Sequence, residues 1–89
     1  MTTNTLEPGT LAAVFDREER LRHALTEARD LAQTGDLDAV ECAAHLAAGR
    51  LSEAFESADA AAEAFETIED RERVDSARWL VNEIDSLTD

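Results

Sequence analysis

Apolar residues recur in steps of three and four along most of the chain and divide it into four segments. The longest unbroken rhythm runs through Leu51, Ala54, Phe55, Ala58, Ala61, Ala62, Phe65 and Ile68. That spacing places these residues on one side of an α-helix, with Glu53, Glu56, Asp59, Glu63 and Glu66 on the other. It predicts a helix over 52–68, capped by Ser52, whose apolar side is buried and whose carboxylates meet water. Most of the buried side is alanine between Phe55 and Phe65, so a neighbouring helix can approach it closely.

Upstream, Leu11, Val14, Leu21, Leu25, Ala28 and Ala32 keep the same rhythm, interrupted only by Glu18 and flanked by Phe15 and Leu31. This predicts a helix over 10–33 capped by Thr10, with Asp16-x-x-Glu19 offering a later start near Arg17. Gly35 suits the left-handed position that ends it. A short helix over 38–48 follows. Asp38 and Glu41 have capping-box spacing, Leu37 and Cys42 occupy the staple positions, and Val40, Ala43, Ala44 and Ala47 form a narrow apolar side before Gly49. After Ile68 the phase slips, because a continuing helix would bury Asp75 where the sequence offers Val74. A turn near Glu69-Asp70 is therefore expected in preference to one bent helix. The last helix, over 71–87, buries Val74, Ala77, Leu80, Val81, Ile84 and Leu87. Residues 1–9, polar and broken by Pro8-Gly9, read as a flexible lead-in to one α-helical domain over 10–89. Four helices on short connections predict an all-α antiparallel array. It is a bundle, closed within the chain or across a dimer, or a stack of helical hairpins.

The stretch from Asp38 to Ile68 resembles one tetratricopeptide repeat. Gly49 would end the first helix of the repeat, Cys42 would be the small residue of that helix, and Ala54 and Ala61 the small packing positions of the second. It departs from the family at Glu41, where a large apolar residue is expected, and it lacks the proline expected near Glu66. The resemblance implies a helical hairpin that stacks on others.

Charge changes the picture more than any motif. The formal net charge is −13, from 21 acidic and eight basic residues, and every basic residue is Arg. High Asp and Glu without Lys resembles the cytoplasmic proteins of salt-in haloarchaea; an acidic mesophilic protein from a high-GC genome is the alternative. Self-repulsion at this density destabilises the fold in dilute buffer and is screened at molar salt, where the Debye length is about 3 Å. With alanine supplying much of the apolar surface, burial yields little at about 25 cal/mol per Å², which favours a dimer or a larger partner. The single Cys42 fits a reducing compartment, and neither a signal peptide nor a run of about 20 apolar residues is present. A cytoplasmic protein without membrane contact is expected.

Candidate chemistry is sparse. Trp79 lies about 150° around the last helix from its apolar arc, among Glu72, Asp75, Ser76, Asn82 and Glu83. An indole on an acidic face reads as an interface anchor. The alternatives are that it covers the N-terminal segment near Leu6 or Phe15, or that the helix is buried on both sides. The expected partner interface is Trp79 with Phe15, Asp75 and Glu83. Cys42 and His45 have the i, i+3 spacing of helix-borne metal ligands, yet a zinc site needs three or four ligands and His23 is the only other imidazole. Solvated helix residues are the simpler reading of that pair. No Ser-His-Asp set can be placed, no Gly-rich phosphate loop occurs, and no Lys is present, so neither catalysis nor a cofactor is expected. Direct nucleic-acid binding is disfavoured because the helix after Gly49 would turn Glu53, Glu56, Asp59 and Glu63 toward phosphates. Arg17, Arg20, Arg22 and Arg29 are offset by neighbouring carboxylates. The expected function is an acidic cytoplasmic protein–protein interaction module that self-associates or docks on a larger protein. A regulator attached to a DNA-binding or nucleoprotein complex, and a metal sensor or enzyme at Cys42 and His45, are the other readings.

Overall fold

The structure, a computed structural model, describes residues 8–88, with side-chain surroundings described from Val14 onward. Four α-helices account for it: α1 (Pro8–Ala32), α2 (Leu37–Ala47), α3 (Leu51–Thr67) and α4 (Arg71–Thr88). Each helix packs against the two beside it in a ring, α1 on α2 and α4, and α3 on α2 and α4, with no diagonal approach among the described residues. The chain therefore forms an antiparallel four-helix bundle. Of the expected lead-in, residues 1–7 lie outside the described residues. Pro8 and Gly9 do not break the chain but open α1, with Pro8 at the first helical position, where a missing N–H costs nothing.

The connections follow capping chemistry. Gly35 takes φ +87° in the α1–α2 turn, where its N–H reaches the Ala32 carbonyl at 3.0 Å. Gly49, at φ +79°, ends α2 in a Schellman arrangement: the N–H of Arg50 donates to His45 O at 2.8 Å and that of Gly49 to Leu46 O at 3.1 Å. The α3–α4 turn repeats the pattern one residue before Asp70. Here Glu69 holds the left-handed position at φ 58°, with Asp70 N–H on Phe65 O and Glu69 N–H on Glu66 O, both at 3.0 Å. Asp70 then caps α4, its Oδ1 accepting from Arg73 N at 3.2 Å. The turn expected at Glu69-Asp70 is present.

Three caps differ from the sequence expectation. Asp36, not Asp38, caps α2, with Oδ1 accepting from Ala39 N at 2.9 Å. Leu37 is thus the first residue of the helix and points to solvent, so no staple to Cys42 forms. α3 begins at Leu51 with Arg50 before it and no side-chain cap, which puts Ser52 inside the helix. Thr10 also lies inside α1, and no late start occurs near Arg17.

The core is small-residue rich. Ala24, Ala28 and Leu31 come from α1, Ala39, Cys42 and Leu46 from α2, Ala54, Ala58, Ala61, Ala62 and Phe65 from α3, and Ala77, Leu80 and Ile84 from α4. The predicted sides of α3 and α4 are the buried ones, with Leu51, Phe55, Val74 and Val81 half-buried at the edges. Ser57 joins the interior of α3, whereas Ile68, past the end of the helix, is exposed. On α1 the buried line is centred on Ala24, Ala28 and Leu31 rather than on Leu21, Leu25 and Ala32, which flank it half-buried. Val14 and Phe15 are exposed, because α4 ends at the level of Arg17 and leaves the first turns of α1 uncovered.

Candidate functional site

α1 and α4 run antiparallel, and three side-chain contacts fix their register. Arg17 donates from Nη2 to the Leu87 carbonyl at 2.9 Å. One turn further, Arg20 Nε donates to Glu83 Oε2 at 2.9 Å and its Nη2 to Ser86 Oγ at 2.6 Å. A turn beyond that, the imidazole of His23 stands edge-on to the indole of Trp79. Each step of three residues on α1 meets a step of four on α4, as expected where antiparallel helices pack by such ridges. The hydrogen bond from Arg20 holds the Glu83 carboxyl below the ordinary glutamate range.

Trp79 is 38% exposed, which leaves part of a large aromatic surface open on the outer edge of this seam. The indole meets His23 on α1; of the alternative contacts, Phe15 lies two turns away and Leu6 is outside the described residues. Of the four residues expected at an interface, Trp79 and Glu83 come together with His23 and Arg20 at the seam. Asp75 lies one turn before Trp79 on α4, in a hollow with Glu66, Glu69, Arg71 and Arg78. Phe15 stands apart on the projecting start of α1, beside Asp16, Glu18, Glu19 and Arg22. It lies about 12 Å along the axis from His23 at 1.5 Å per residue. His23, Arg20 and Ser86 were not legible as seam residues because the register of α1 on α4 leaves no mark in local spacing.

The sequence pattern misplaces the buried side of α2. Ala39, Cys42 and Leu46 face the interior, whereas Val40, Ala44 and Ala47 are exposed and only Ala43 is half-buried. Cys42 is a core residue at 1% exposure, and burial pushes its thiol up to about 11. At neutral pH the free thiol is therefore protonated and shielded from solvent. His45 accepts at Nδ1 from Arg50 Nε at 3.1 Å. No group of three or more His, Cys, Asp or Glu among the described residues is placed to hold a metal ion.

Of the α1 arginines that the sequence sets among neighbouring carboxylates, Arg17 and Arg20 are bound across the seam. α3 displays five carboxylates and no cation on its own length. Among the described residues no helix is long and apolar enough to cross a membrane. No protein-family model matches the chain, and no curated protein or solved structure matches it either.

Proposed function

We propose that this protein is a small acidic interaction module that docks a protein partner through the α1–α4 seam. The observation that carries this reading is the half-open indole of Trp79, positioned by His23 on one helix pair and flanked by the Arg20–Glu83–Ser86 cluster. A rigid aromatic with a polar, hydrogen-bonded surround is the composition of a binding hot spot. Asp75 supplies negative charge near the indole, the charge of Glu83 being paired with Arg20, and favours a partner with a basic residue at its rim. The module works in a cytoplasm of high ionic strength, where the −13 charge is screened.

The test is Trp79→Ala, with light scattering and a pull-down both run at high salt. Loss of association with unchanged helicity supports the seam as the docking surface. Association unchanged in both assays removes Trp79 from the account.

A further inference from the structure

The indole of Trp79 and the imidazole of His23 form an aromatic pair in which one ring can change charge. Histidine is the side chain whose charge switches between about pH 5 and 8. His23 is exposed, so it exchanges protons with solvent directly. Its ring centroid stands 5.5 Å from that of the indole, inside the roughly 6 Å over which a cation is attracted to a tryptophan ring. The neutral imidazole makes only the edge-on aromatic contact. The charged one adds an electrostatic attraction.

The groups around His23 leave room for a cation. On α1, Glu19 and Glu27 lie one turn to either side, with Arg20 and Arg22 between them. From α4 come Glu83 on one side of Trp79, and Asp75 and Glu72 on the other. Arg20 and Glu83 are paired with each other. The Glu83 carboxyl is lowered by Arg20 first and by the charge of His23 as well, which puts this carboxylate within reach of the imidazole. α2 adds no charge here, because it packs near Leu21 and Leu25, about 200° around α1 from His23. Among the described residues α3 does not pack against α1. With the Arg20–Glu83 pair set aside, Glu19, Glu27, Glu72 and Asp75 outweigh Arg22, so an imidazolium enters a negative surround.

We propose that His23 is a proton-operated clamp on Trp79: protonation between about pH 8 and 5 draws the indole against α1, and deprotonation loosens it. The indole is already 38% open, so it has solvent to move into when the clamp is weak. At an exposed site a cation–π contact shifts such an equilibrium about two- to fivefold. The clamp is a property of the free chain. Its effect on docking rests on the reading of the seam given above: acidification ties the indole down and adds a positive charge beside it, and both weaken the hold on a basic-rimmed partner.

The single tryptophan reports on this directly. Emission and acrylamide quenching of the full chain are followed from about pH 5 to 8 at constant salt, with far-UV circular dichroism alongside to hold helicity in view. On acidification both the emission and the acrylamide quenching constant are expected to fall in a one-proton transition. His23→Gln loses that transition, and His45→Gln, whose imidazole bonds Arg50 instead, keeps it. His23→Arg, a permanent cation at an exposed site, gives at the alkaline end the low quenching constant that wild type shows at the acid end. A quenching constant that is flat or rises on acidification overturns the clamp, as does a transition that survives His23→Gln. All of these measurements use the free chain. Their failure therefore leaves docking untouched, while association unchanged by Trp79→Ala removes docking and leaves the clamp.

Discussion

The imidazole of His23 meets the indole of Trp79 at a centroid distance of 5.5 Å, with the ring planes 62° apart. This edge-on contact joins the first helix to the last at the level where the buried line of α1 begins at Ala24. Aromatic contacts of this geometry contribute about 0.5–1.5 kcal/mol beyond area burial. His23→Ala should lower stability by about 1 kcal/mol in a denaturant titration. Because Trp79 is the only tryptophan, the same variant should shift its emission to the red as the indole gains water.

The acid response follows from three carboxylates. Hydrogen bonds from Arg20 and from Arg73 hold Glu83 and Asp70 below their ordinary ranges. A carboxylate with a lower pKa in the folded chain favours the fold while ionised. That contribution is complete above the unfolded value of about 4 and is lost as pH falls through the lower folded value. Asp38 has the opposite sign, because burial and its acidic neighbours raise its pKa and its charge opposes the fold at neutral pH. Glu83→Gln and Asp70→Asn should therefore lower Tm at pH 7, with the difference vanishing as pH falls through the lowered folded values. Asp38→Asn should raise Tm at pH 7 and lose that advantage on acidification. Thermal melts across pH check all three.

Glu69 occupies a left-handed backbone position at φ 58°, where the two other inter-helix turns use glycine. A non-glycine residue there costs about 1 kcal/mol. Glu69→Gly should stabilise the protein by about that amount, a rise in Tm of roughly 4–8 °C for a domain of this size. Gly49→Ala should act in reverse, although nothing lies within 4 Å of the added methyl, because the strain is in the backbone.

Alanines at the centre of the bundle set how closely the helices pack. Ala58 is 1% exposed, with Ala54 and Ala61 buried on the same face. Ala58→Leu forces the helices apart and should cost about 1–3 kcal/mol. Leu80→Ala, which empties a fully buried site, should cost about 2–5 kcal/mol. Urea midpoints should fall for both variants, and pressure unfolding separates them, because only the Leu80→Ala cavity adds void volume that unfolding eliminates.

Four helices, their ends at Gly35, Gly49 and Glu69, and the buried sides of α3 and α4 were legible in the spacing of apolar residues. The side of α2 was not, because only Asp38, Glu41 and His45 interrupt its apolar surface and two faces satisfy the same rhythm. Tertiary contact decided in favour of the face with Cys42 and Leu46. Its cap was misplaced because two aspartates, Asp36 and Asp38, lie two residues apart at the start and either can serve. On α1, Val14 and Phe15 continue a helical stripe that the bundle is too short to cover. The seam contacts of Arg17, Arg20 and His23 depend on the longitudinal position of α1 against α4, which periodicity does not encode.

Pairing α1 with α4 joins residues up to 70 apart in the chain, as between Arg17 and Leu87, whereas the other three helix pairs are neighbours in sequence. Bringing remote segments together carries a larger loop-closure entropy than closing a hairpin, by about 0.6 kcal/mol per doubling of loop length. The local hairpins are therefore expected to zip ahead of the ring closure. In stopped-flow refolding the indole would then keep the time of ring closure and helix content that of the hairpins, and coincident traces from the two clocks would show closure in a single step.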